Sequence, residues 1–171
     1  TGPLARHDGR LYGGTAVAVA LALAEQATER PALWTTVQFV SGASVVGDRI
    51  DCAVEVLASG RRASQVRITA RLGDQELFCA LGATASPKES ALAGSFEAFP
   101  DVPGPQDAEP FRFPMPPKLR NPEGDLERLL EIRIARRPGE KVEPGQLRYW
   151  GRVQGQRATP AVLGYAADMV P

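Results

Sequence analysis

Apolar and polar positions divide the chain into three regimes. The first begins at Gly13-Gly14-Thr15 and runs into Ala16 to Ala24, nine consecutive apolar residues, before Glu25 and Gln26 restore polarity and Pro31 closes the segment. The alternation of small and large residues there would suit a strand. Alanine is a weak strand former, however, whereas Ala and Leu favour helix, so the spacing predicts a helix over 14–28. A helix apolar on every side is normally buried. The next fifty residues look like its wrapping. Trp34 to Ser41 is rich in β-branched and aromatic residues. Ile50, Cys52, Val54 and Val56 alternate with Asp51, Ala53 and Glu55, and Val66, Ile68, Ala70 and Leu72 alternate with Arg67, Thr69 and Arg71. Leu77 to Thr84 is more uniformly apolar and reads as a central strand. Strands are expected near 34–41, 48–58, 62–73 and 75–85, with turns at Ser59-Gly60 and Gly73-Asp74. Consecutive strands joined by tight turns are expected to pair as neighbours. The result is one curved antiparallel sheet with its dry side on the helix and the third strand's arginines in water.

At Pro87 the pattern changes. Residues 87–122 hold nine of the fifteen prolines, which exclude a sheet interior or a regular helix. Phe96, Phe99, Phe111 and Phe113 interrupt the stretch, so it is expected to be an ordered connector with its phenylalanines laid over the domain. Alternation resumes at Leu126 to Ala135 and at Gln146 to Val153, two further strands. Thr159-Pro160 supplies an N-cap and a first-turn proline for a short helix over 161–169.

Composition and charge narrow the partners. Twenty basic and twenty acidic residues give a formal net charge of zero, without a basic tract, which argues against a nucleic-acid partner. Cys52 and Cys79 lie on apolar stretches without metal-ligand spacing and read as reduced core thiols, which makes the cytoplasm the expected compartment. His7 has no partner histidine, and neither a metal nor another cofactor is called for. Arg6 and Arg10 ahead of a short apolar run resemble a signal peptide. Strand patterns follow at once, and nine apolar residues fall short of the roughly 20 that cross a membrane.

The run Leu11-Tyr12-Gly13-Gly14-Thr15, the apolar helix, the strand at Val37-Gln38-Phe39-Val40 and the three strands after it resemble a hot-dog domain. The nearest resemblance is to the TesB-like acyl-CoA thioesterases, which carry two hot-dog repeats in tandem. A Phe-Gly-Gly motif opens their first long helix. Their second repeat has a Tyr/Trp-rich strand and then a helix ending in Ala-Ser-Asp. This chain has Tyr149-Trp150-Gly151-Arg152 and later Leu163-Gly164-Tyr165-Ala166-Ala167-Asp168. It departs from the pattern at Thr15, at Ala18-Val19 and at Ser41-Gly42-Ala43.

The resemblance implies an α+β hot-dog fold. It divides the chain into a first repeat at 1–86, a connector at 87–122 and the start of a second repeat at 123–171. The strand that usually precedes the two glycines is missing, as are about four strands and two catalytic side chains that usually follow the second helix. The sequence is therefore expected to be a trimmed piece of a longer chain. The implied activity is hydrolysis of acyl-CoA to free fatty acid and CoA, within fatty acid metabolism. Asp168 would polarise a water as general base and Gly14 would donate a backbone N–H to the oxyanion. Tyr12, Gly13 and Thr15 would meet the substrate. Arg61, Arg62, Arg67 and Arg71 are candidates for the phosphates of CoA, against the commoner reading of a solvated strand face. A homo-oligomer with its repeats side by side in one sheet is expected. Two alternatives stay open: a non-catalytic acyl-binding or interaction module, and an acyl-CoA hydratase or dehydratase, whose paired Asp and His are not visible.

Overall fold

Helix α1 (Gly13–Thr28) is the element about which the others are arranged. The computed structural model describes residues 5–6, 8–86, 94, 98–111, 129–137, 139–141 and 144–168. His7, Phe96, Phe113 and Met169 lie outside them, as do residues 126–128 of the first expected strand beyond the connector and the proposed boundary at 122/123. Strands β1 (Ala32–Phe39), β2 (Asp51–Ser59), β3 (Ala63–Leu72) and β4 (Gln75–Ala85) form one antiparallel sheet in the order β1-β4-β3-β2. All four lie within two or three residues of the spans the alternation predicts.

The helix packs on this sheet through Ala16, Ala20 and Ala24, which meet Val66, Ile68, Ala70, Phe78 and Ala80 in the core. Alanines on that face let the helix approach closely, so the larger volumes come from the strands. Arg67 and Arg71, on the opposite face of β3, reach Glu55 and Glu76 at 3.1 and 3.2 Å in open solvent.

Three expectations are corrected. Strands β1 and β2 are not neighbours. The hairpins β2–β3 and β3–β4 do pair in sequence, but residues 40–50 carry the chain across to the far edge, and β1 closes on β4 instead. That crossing is long enough to bury Val45 beneath the N-terminal loop, where its N–H donates to Gly9 O at 2.8 Å. Strand β2 is not half-buried: Val54 packs on the core, but Cys52 and Val56 stay exposed because an edge strand is covered from one side only. Cys52 is therefore no core thiol, and Cys79 is only half-buried. Finally, α1 is not enclosed by the sheet alone. Its remaining side receives the second helix, α2 (Pro160–Ala167), which is why α1 carries no polar stripe.

The described strands beyond residue 86 form a second antiparallel sheet, separate from the first, of β5 (Glu109–Phe111), β6 (Leu130–Ile134) and β7 (Tyr149–Val153) in the order β5-β6-β7. Strand β5 comes from the proline-rich connector, and Pro110 is tolerated because β5 is an edge. Within the connector, the described residues 98–111 are clipped to this sheet. Phe99 stacks on Trp150 with ring centroids 5.8 Å apart, and the Trp150 indole N–H donates to Pro103 O at 2.8 Å. Helix α2 begins as its sequence predicts, with the Thr159 side chain accepting from the Val162 N–H at 3.2 Å and Pro160 in the first turn.

Candidate active site

Tyr12-Gly13-Gly14-Thr15 opens α1, with Tyr12 as N-cap residue. The first N–H groups of a helix have no acceptor within it. A Ser, Thr or Asp at the N-cap would normally supply one, but the Tyr12 side chain makes no capping hydrogen bond to its own helix. The acceptor arrives from 154 residues away: Asp168 Oδ2 accepts the Gly14 N–H at 3.1 Å. Asp168 is itself the C-cap residue of α2 and remains exposed to water. A carboxylate at this position also faces the positive end of the α1 dipole.

The two helix ends meet closely because glycines stand at the contact. A Cβ on Gly13 would lie 2.5 Å from Asp168 Oδ2. One on Gly14 would lie 2.9 Å from Tyr12 Cζ and collide with the carbonyl oxygen of Tyr165. Farther along, a Cβ on Gly164 would lie 2.6 Å from Leu21 Cδ1. These glycines serve the approach of helix to helix, whereas the sequence alone suggests helix on sheet.

Tyr12 is 6% exposed, and its hydroxyl donates to Tyr165 O at 3.1 Å while the two rings meet edge to face at 5.1 Å. Burial first, then the nearby Asp168 carboxylate and the phenols of Tyr165 and Tyr149, push the Tyr12 phenol far above its usual range, so it stays a neutral donor. Thr15 is buried in the same turn. Gly13 is half-buried and is the residue whose N–H stands nearest the helix end. The arrangement thus brings together the five residues assigned from sequence to catalysis and substrate contact, while Arg67 and Arg71 stand apart from it, paired with Glu55 and Glu76. It also ties Gly14 and Asp168 to each other: the Gly14 N–H is occupied by the carboxylate. Sequence reasoning missed Tyr165, whose contribution is a main-chain carbonyl and carries no side-chain signature. Among the described residues no three His, Cys, Asp or Glu side chains are grouped to hold a metal, and no helix is long and apolar enough to cross a membrane.

Residues 2–86 match the family described as the acyl-CoA thioesterase N-terminal domain. Through them the chain is similar to the acyl-CoA thioesterase family. No curated protein matches the chain. Among solved structures, the chain superposes on a protein of Novosphingobium aromaticivorans provisionally assigned as a thioesterase, with TM-score 0.80 and 29% identity, over 93% of this chain and 60% of that one. A hot-dog protein of Alicyclobacillus acidocaldarius follows with TM-score 0.78 and 22% identity, over 96% and 60%. A tesB protein of Mycobacterium avium subs paratuberculosis gives 0.71 and 23%, over 95% and 59%. These likenesses establish the hot-dog fold. The chain spans about 60% of the length of the structures it matches.

Proposed function

We propose that this chain is part of an acyl-CoA thioesterase in which Asp168 is the general base. The observation that carries the proposal is the Gly14 N–H···Asp168 Oδ2 hydrogen bond of 3.1 Å, which joins the end of α2 to the start of α1. One carboxylate oxygen is held by the main chain, leaving the other to take a proton from water. The water oxygen attacks the thioester carbonyl while its proton passes to Asp168. The resulting oxyanion then collapses, the C–S bond breaks, and CoA leaves as thiolate and takes up the proton that Asp168 received, which restores the carboxylate. The N–H of Gly13, one position nearer the helix end, is the donor best placed for the oxyanion, the role the sequence assigns to Gly14. Tyr12 and Thr15 would act on the substrate through the shape they give this turn, since both are buried.

The test is release of free CoA thiol from a panel of acyl-CoA thioesters by the full-length protein. The expected result is turnover by wild type and its loss in Asp168→Asn. A second reading is favoured by the same bond. A carboxylate that caps a partner helix is sufficient as a structural device, which suits a non-catalytic acyl-binding module. Acyl-CoA binding without turnover would support that alternative. The proposed division at 86/87 and 122/123, a cytoplasmic location and self-association belong to the same proposal.

A further inference from the structure

The two helix ends exchange caps. Tyr12, the N-cap residue of α1, sends its hydroxyl to the Tyr165 carbonyl in the last turn of α2. Asp168, the C-cap residue of α2, sends its carboxylate to the Gly14 N–H in the first turn of α1. Each side chain thus reaches a main-chain group at the end of the partner helix. We infer that the Tyr12 hydroxyl is a positioning group: by holding the Tyr165 carbonyl it fixes the turn that carries Asp168 and so aims the carboxylate at Gly14.

The geometry constrains this tightly. Tyr165 precedes Asp168 by three residues, less than one helical turn, so a shift at its carbonyl moves Asp168 with it. The Tyr12 ring is almost fully buried and leans edge-on against the Tyr165 ring, which leaves the hydroxyl little freedom to find another acceptor. Gly14 carries no side chain that would hold the two ends apart. The groups facing the phenol are Asp168, Tyr165 and Tyr149. Burial and the negative charge of Asp168 keep it protonated, so the donor persists wherever the carboxylate is ionised.

The catalytic consequence rests on the thioesterase reading; the positioning itself does not, and the experiment separates them. Tyr12→Phe in the full-length protein keeps the ring and removes only the hydroxyl. Two quantities are read: steady-state hydrolysis of acyl-CoA, and the pH response of the Gly14 amide proton by NMR, identified by its disappearance in Asp168→Asn. The expected result is a kcat lower by about 10-fold or more with KM little changed, the scale of a displaced reacting group, together with loss of the Gly14 response. A Gly14 response equal to wild type overturns the inference, whatever happens to kcat. A lost response with unchanged kcat upholds the positioning role and removes Asp168 as the base. If wild type hydrolyses no acyl-CoA, the thioesterase reading falls, and the Gly14 amide alone still decides the role of Tyr12.

Discussion

At the scale of single residues, the contact between Asp168 and Gly14 separates chemistry from stability. Asn accepts a hydrogen bond from a helix N-terminus about as well as Asp. Asp168→Asn should therefore preserve the fold while removing the proposed base. The expected loss in kcat is about 10²- to 10⁴-fold, the usual worth of general-base assistance, with KM little changed in steady-state assays. Gly14→Ala acts on the opposite balance. Its methyl group would meet the Tyr165 carbonyl and the Tyr12 ring, neither of which can swing away. The expected cost is about 1–3 kcal/mol in urea unfolding, as for other overpacked sites. Gly164→Ala should cost less, because the atoms it meets are the ends of the Leu21 and Val17 side chains. A larger loss for Gly164→Ala than for Gly14→Ala would contradict this account of the helix contact.

At the scale of elements, α1 needs two partners and α2 needs a defined start. The sheet covers one side of α1 through Ile68, which is fully buried at the centre of β3. Ile68→Ala should destabilise the protein by about 2–5 kcal/mol, the range for emptying a buried aliphatic site. For α2, the Thr159 side chain caps the Val162 N–H. Thr159→Ala should cost about 0.5–2 kcal/mol, and it should also lower turnover, because the far end of that short helix carries Asp168. Near-ultraviolet circular dichroism with urea titration checks the first effect, and acyl-CoA hydrolysis the second. The periodicity that exposes α1 as a buried helix is plain in the sequence. Its second partner is not, since nothing in residues 14–28 distinguishes a side facing strands from a side facing another helix.

At the scale of the whole molecule, the two sheets each carry a tryptophan and so report separately: Trp34 lies on β1 and Trp150 on β7. On the second sheet Glu131 bridges Arg133 at 2.7 Å and Arg152 at 2.6 Å, and hydrogen bonds from Arg133 and then Arg152 hold its carboxyl below the usual range. A carboxylate whose folded-state value is lowered contributes stability that is present above its unfolded value and is lost as the pH falls through the folded one. Acidification below the ordinary carboxylate range should therefore weaken the Trp150 environment, and Glu131→Gln should remove that acid-dependent step. Fluorescence of single-tryptophan variants across pH checks both. The exposed edge at β2, with Val56 and Leu57 uncovered, favours association between sheets. Sedimentation velocity of the chain is expected to give species larger than the monomer.

What the sequence determines by itself is local. Alternation along β3 and β4, the apolar run of α1 and the Thr159-Pro160 start of α2 depend on neighbours a few residues apart, so each is legible from composition and spacing. The grouping of Tyr12, Gly13, Gly14, Thr15 and Asp168 is legible through the family resemblance, not through periodicity. Three matters belong to the tertiary structure alone. Strand β1 pairs with β4 instead of β2 because the 40–50 crossing is free to span the sheet, and local pattern does not encode which edge it reaches. Cys52 and Val56 are exposed because coverage of a strand depends on its place in the sheet and not on its own alternation. Gly14 gives its N–H to Asp168 because two helix ends, 154 residues apart in the chain, stop at the same point in space. Helix termini leave main-chain groups that must find partners somewhere. Which partner they find is settled only when the chain has folded.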